Sequence, residues 1–241
     1  MKQTIKIDAK QALMIAHRGL SGLEKENTNF SFVAAANRSY WGIESDVRKT
    51  ADGQFVMIHD NTTARVAGVD CLIKENTLAD LRKIRFFDVD GTPGREGLCI
   101  PTLAEYLQIC RDYGKTAVLE IKSHPSREEI AEILQIVEAE YNLEKTVIIS
   151  FGLQNLIWAR ELRPEAHLQF LVMKDLPEDL LDTLSNYRMD LDISQSLLTK
   201  ELVDAVHALG FQVNAWTVNK AEDAERLISW GVDYITTNIL E

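Results

Sequence analysis

Thr116-Ala117-Val118-Leu119-Glu120-Ile121-Lys122 is followed by Ser126-Arg127-Glu128-Glu129-Ile130, and then by apolar residues at Ile133, Leu134 and Val137. The first stretch reads as a buried strand, an apolar run with β-branched residues and too short for a helix. The second opens on a capping-box pattern, Ser126 with Glu129, and carries its apolar residues at helical spacing. The couplet then repeats. Thr146–Ser150 reads as a strand and Leu153–Leu162 as a helix. Strand His167–Val172 precedes a helix at 177–186, and strand 189–193 a helix at 199–209. Strand 211–218 precedes a helix that Asn219 and Glu222 are expected to cap, ending near Trp230-Gly231, and 233–236 is the last strand. Strands that alternate with helices in this way form a parallel sheet.

The same rhythm extends upstream. Ala12-Leu13-Met14-Ile15-Ala16-His17 is a short apolar run, and Asn27-Thr28-Asn29 offers caps for a helix through Ser39. Residues 42–47 form the second strand, and Asp52-Gly53 is a hairpin turn leading to 55–59. Residues 61–100, with Gly68, Gly91, Gly94, Gly97 and Pro93, break the pattern. They read as a small insertion with one short helix at 78–84. Thr102 and Glu105 then open a helix to about Tyr113.

Eight βα units predict an α/β fold of the closed (β/α)8, or TIM, barrel type, with residues 1–241 as a single domain. The rival, a doubly wound open sheet, would want a glycine-rich turn after the first strand, and none is present. Residues 237–241 are too few for an eighth helix, so the last helix is truncated. Residues 1–11, or a partner subunit in a homodimer, would have to cover that gap.

The 241 residues are 46% hydrophobic and 26% charged, with a formal net charge of -11. That balance argues against nucleic acid or an anionic membrane surface as partner. Cys71, Cys99 and Cys110 are odd in number and widely spaced, which fits neither a disulfide framework nor a zinc ribbon. The first residues lack a signal-type apolar run, and no stretch is apolar enough to span a bilayer. The expectation is a cytoplasmic protein without stable membrane insertion.

In a barrel the working residues lie at the C-terminal ends of the strands. Glu44 and Asp46 stand two apart on one strand, so both carboxylates face one side. Burying such a pair is costly unless a cation lies between them. Alone they could be ion-paired edge residues, but Glu120 supplies a third acid. Three carboxylates and water suit Mg2+ or Ca2+ better than zinc. His17 and His59 each end an apolar run. Singly such residues are usually packing residues, while two beside a metal site fit general acid and base roles. Arg18 and Lys122 could contact a small anion, or merely neutralise the acids. Trp216 and Phe151 are core residues or pocket walls. His124, His167 and His207 are read as structural or exposed.

His17-Arg18-Gly19, Glu26-Asn27-Thr28, Glu44-Ser45-Asp46-Val47, Thr50-Ala51-Asp52-Gly53, His59-Asp60, Pro101-Thr102-Leu103, Glu120-Ile121-Lys122 and Trp216-Thr217-Val218-Asn219 occur in an order that resembles the glycerophosphodiester phosphodiesterases. The resemblance runs from about residue 13 to 238. It implies a TIM barrel with a small insertion after the second strand. It further implies Glu44, Asp46 and Glu120 as ligands of a divalent metal, and His17 and His59 as the catalytic pair. Arg18 and Lys122 would be phosphate contacts, Trp216 an aromatic wall, and Glu26 an acid near the substrate. Lys25 and Thr63 depart from the family pattern without touching the metal ligands or the histidines. The expected activity is metal-dependent hydrolysis of a small-molecule glycerophosphodiester, such as glycerophosphocholine or glycerophosphoethanolamine, to glycerol 3-phosphate and an alcohol. One rival is a lysophospholipase D, whose apolar slot Val66, Val69, Leu72, Ile73, Phe86 and Phe87 could build, unless they are the insertion's own core. Another is a phosphoester-binding barrel without catalysis.

Overall fold

The computed structural model describes residues 3–241. Strand β1 (Leu13–Ala16) is followed by α1 (Asn29–Ala36), β2 (Gly42–Lys49) and β3 (Phe55–Met57). The insertion holds two single-turn helices, α2 (Ala64–Ala67) and α3 (Leu78–Leu81). Then come α4 (Leu103–Asp112), β4 (Thr116–Ile121), α5 (Arg127–Glu140), β5 (Thr146–Ser150), α6 (Leu153–Leu162), β6 (His167–Val172) and α7 (Leu180–Tyr187). The chain closes with β7 (Asp190–Ser194), α8 (Lys200–Ala208), β8 (Val213–Trp216), α9 (Ala221–Ser229) and β9 (Tyr234–Thr237).

Eight of these strands are parallel neighbours in the order β1-β9-β8-β7-β6-β5-β4-β2, and pairing of β1 with β2 closes the ring. The result is a TIM barrel. β3 lies outside the ring, antiparallel to β2, as the Asp52-Gly53 turn requires. The barrel interior is filled by Ile15, Val118, Val147, Ile149, Leu171 and Tyr234, with Trp41 and Trp216 against them. A second, larger apolar layer packs the outer faces of the strands against the helices.

The capping boxes at Thr102–Glu105 and Ser126–Glu129 form as their spacing predicts, and Thr28 caps α1 with Ser31. Two helix starts differ from expectation. α7 begins at Leu180 rather than at residue 177. α9 has no side-chain cap, because Asn219 turns away and accepts the Asn238 main-chain N–H on Oδ1 at 2.8 Å. That bond fixes the loop after β9 instead.

Among the described residues no helix follows β9, and the segment before β1 pairs with the residues after it. Ile5 N–H donates to the Ile239 carbonyl at 3.0 Å, and Glu241 N–H to the Ile5 carbonyl at 2.8 Å. The Glu241 carboxylate accepts from Thr4 Oγ1 at 2.6 Å and from Ser39 Oγ at 2.9 Å, and it pairs with Lys6 at 2.7 Å. The insertion has a small core of its own, in which Val66, Ile73, Phe86 and Leu98 pack with Val56 and Ile58. Among the described residues, no helix is long and apolar enough to cross a membrane.

Candidate active site

The loop after β1 folds back over the mouth because Arg18 and Gly19 both take positive φ, +54° and +74°. A Cβ at Gly19 would lie 2.7 Å from the Ser31 carbonyl carbon, so only glycine fits against the start of α1. This turn aims the Arg18 main-chain N–H at Glu44, whose Oε2 accepts it at 2.8 Å. The Arg18 side chain passes over Asp46, with Nε 3.5 Å from Oδ2.

β2 points Glu44 and Asp46 inward together, and β4 brings Glu120 beside Asp46, its register partner. One oxygen from each of the three lies within 4.8 Å of the others. All three are buried, at 3%, 1% and 8% exposure, which is an arrangement that water cannot relieve. Burial, reinforced by Asp46 and Glu120, pushes the Glu44 carboxyl well above the usual range. Burial and Asp46 push Glu120 up to about 7. Burial acts on Asp46 in the same sense, but Lys122, Arg18 and His59 outweigh it and hold this carboxyl below the usual range. Asp46 Oδ1 has no hydrogen-bond partner, although Lys122 Nζ stands 3.3 Å away and also donates to Glu120 Oε1 at 2.8 Å. Three crowded oxygen donors with an orphaned, buried carboxylate oxygen fit a hard divalent cation.

Both histidines face this cluster. His17 Nε2 is 3.9 Å from Glu44 Oε2, and its Nδ1 bonds to Asn238 Oδ1 at 2.7 Å. Burial, then Arg18, lowers the His17 pKa to about 4. His59 Nδ1 bonds to Asp60 Oδ1 at 2.7 Å, and burial lowers this imidazole as well. Since both Nδ1 atoms face oxygen acceptors, each ring keeps Nε2 for chemistry.

A cavity of about 440 Å3 opens here, lined by His17, Arg18, Glu44, His59, Glu120 and Lys122 on its polar side. Phe151 and Trp216 build the opposite wall, edge to face at 5.7 Å, with Leu171 and Met173 beside them. The insertion residues expected to form an apolar slot are absent from this wall. Val66, Ile73 and Phe86 are spent in the insertion's own core. Glu26 stands behind Arg18, accepting from its Nη1 at 2.9 Å, and Arg65 takes the rest of its hydrogen-bonding capacity.

Several participants escape sequence reasoning. Asn27 Nδ2 donates to Asp46 Oδ2 at 2.8 Å, and Arg48 Nε donates to the His59 carbonyl at 2.9 Å. Asp192 lies in the cavity lining. Asn27 sits inside a quoted motif and could have been found. Arg48 and Asp192 carry no local signal. His167 and His207 pair with Asp190 and Asp233 away from the site, as structural residues.

Comparison with known proteins gives the family. The model of the glycerophosphoryl diester phosphodiesterase family matches residues 17–241. A glycerophosphodiester phosphodiesterase of Caldanaerobacter subterraneus subsp. tengcongensis is 34% identical over 95% of this chain and 94% of its own length. One from Bacillus subtilis is 28% identical over 94% and 83%. An Oleispira antarctica phosphodiesterase, solved with its product sn-glycerol-3-phosphate, superposes with a TM-score of 0.86 at 28% identity, covering 97% of this chain and 95% of that one. By its sequence, its closed barrel and its match over nearly all of its length, this chain belongs to the glycerophosphoryl diester phosphodiesterase family of hydrolases.

Proposed function

We propose that the chain hydrolyses glycerophosphodiesters, such as glycerophosphocholine and glycerophosphoethanolamine, to glycerol 3-phosphate and a free alcohol. The observation that carries this reading is one mouth at which three acids, two imidazoles and two cationic side chains meet. Glu44, Asp46 and Glu120 would hold Mg2+ or Ca2+, which when bound supplies positive charge and polarises a phosphoryl oxygen.

Arg18 and Lys122 take the non-bridging phosphate oxygens and stabilise the charge that builds on them. His17, kept neutral by burial and presenting Nε2, accepts the proton of the attacking oxygen. His59, entering as the imidazolium held by the Asp60 carboxylate, gives its Nε2 proton to the departing alkoxide. Phe151 and Trp216 form the apolar wall along which the alcohol leaves. Glu26 acts through Arg18 by holding its guanidinium over Asp46.

The test is turnover of glycerophosphocholine before and after EDTA, with Mg2+ or Ca2+ restored separately, and in the variant H17A. Activity indifferent to chelation, or undiminished in H17A, overturns the assignment. A pure binding protein would instead melt higher with substrate and release no product. A second reading, hydrolysis of lysophospholipids, draws on the exposed Phe151 and Met173 at the rim. Rates on lysophosphatidylcholine and glycerophosphocholine separate the two.

A further inference from the structure

The floor of the cavity is polar where a parallel barrel ordinarily packs apolar side chains. Asp192 on β7 is 1% exposed and lines the cavity, yet its Oδ1 has no hydrogen-bond partner. Its register partner Asn214 on β8 is fully buried. The Asn214 side chain donates to Gln169 Oε1 at 3.3 Å, accepts from Thr236 Oγ1 at 3.1 Å and also lies against the Asp192 carboxyl, whose Oδ1 it leaves without a partner. A carboxyl oxygen buried without a partner is a standing cost. Burial, then Glu120, pushes the Asp192 carboxyl well above the usual range. None of the steps assigned above uses this group.

Its position gives it a use. In the closed ring β7 stands diametrically across from β2, which carries Glu44 and Asp46. A substrate whose phosphate lies against Arg18 and the acids therefore meets Asp192 with its far end. The cavity is closed at this floor and open at the rim, where Phe151 and Met173 are 42% and 46% exposed. An alcohol that varies between substrates fits the open rim. The glycerol half, common to all of them, fits the closed floor.

We propose that Asp192 is a specificity residue that binds the terminal hydroxyl of the substrate's glycerol half, the glycerol oxygen farthest from phosphorus. The inference rests on the hydrolase reading above. Oδ1 accepts a hydroxyl proton whether the carboxyl is neutral or ionised. A site built to bond a hydroxyl rejects an analogue that lacks it, because the site's own polar atom is then left unpaired.

The test compares glycerophosphocholine with the analogue lacking only the terminal glycerol hydroxyl, in the wild type, D192N and D192L. The middle hydroxyl is kept so that a cyclic route through it stays open to both. The wild type should favour the glyceryl ester by about 10- to 100-fold in kcat/KM. D192N keeps an accepting oxygen and should retain most of that preference. D192L should lose it, its kcat/KM falling further on the glyceryl ester than on the analogue. Calorimetric binding of glycerol 3-phosphate and its deoxy counterpart gives the same comparison without turnover. Equal handling of the two by the wild type overturns the proposal, and so does full preference retained in D192L. The wild-type comparison decides even if D192L fails to fold. If the wild type hydrolyses neither diester, the activity reading falls, and product binding alone decides the role of Asp192.

Discussion

Arg65 grips Glu26 with both arms of its guanidinium, Nη1 donating to Oε2 at 2.6 Å and Nη2 to Oε1 at 2.8 Å. Its Nε donates to Asp60 Oδ2 at 2.6 Å. A single side chain from α2 thus braces the partner of Arg18 and the partner of His59. The insertion is therefore coupled to the chemistry although it supplies none of the reacting groups. R65A should lower kcat/KM roughly 10-fold or more, as loss of a bracing contact does at comparable sites. The thermal midpoint should move little, because Arg65 is half exposed and such pairs contribute weakly to stability. R65K should not rescue activity, since an ammonium lacks the planar fork. Steady-state kinetics and thermal melts on the three proteins check this.

Removal of either imidazole should cost kcat about 10²- to 10⁴-fold with little change in KM, the usual scale for a lost proton carrier. D60N should act in the same direction as H59A and by less, because it leaves the ring in place. A pH–rate profile whose basic limb shifts in D60N while its acidic limb stays would tie Asp60 to His59.

Cation binding should be visible as stability. At a concentration near 100 times Kd the cation should raise the thermal midpoint by about 5–10 °C, the stabilisation expected at that saturation for a chain of this size. The double variant E44Q/E120Q should lose this response. It should also melt above the chelated wild type once pH exceeds about 7, where Glu120 ionises beside Asp46 in the wild type and a glutamine does not. Differential scanning calorimetry with and without EDTA measures both effects.

The pH dependence of the cation-free protein follows from opposed groups. His17, at about 4 in the fold against 6.5 ordinarily, binds fewer protons folded than unfolded. Its contribution is present above pH 6.5 and lost as pH falls through 4. Glu120, at about 7 against 4.5, binds more protons folded than unfolded. Its contribution is present below pH 4.5 and lost as pH rises through 7, and Glu44 acts in the same sense. The slopes oppose each other between 4.5 and 6.5 and leave only the acids above that. Chelated protein should therefore lose stability as pH rises from 6.5 through about 7, and bound cation should flatten the curve. Melts across that range check the sign.

Much of this is legible in the chain. The alternation after Thr116 points to the barrel, because strand and helix periods are local and the capping boxes at Thr102 and Ser126 punctuate them. Glu44, Asp46 and Glu120 stand out because acids on buried, apolar strands need a partner of opposite charge. Asn219 looks like a helix cap until the fold brings up its true partner, Asn238, which is distant in sequence. Asp192 stays hidden for the same reason, since its meaning lies in what the closed ring brings opposite it. Arg48 stays hidden because its partner across the hairpin is a main-chain carbonyl, that of His59, which no residue type records.

The pairing of Ile5 with Leu240 makes the segment before β1 and the segment after β9 next-door neighbours. A short linker could splice them, and fresh termini could be cut at the exposed turn Asp90-Gly91. Such a circular permutant keeps every barrel contact in a different covalent order. It should fold and turn over substrate, whereas a bulky tag fused directly after Glu241 would prise the seam apart.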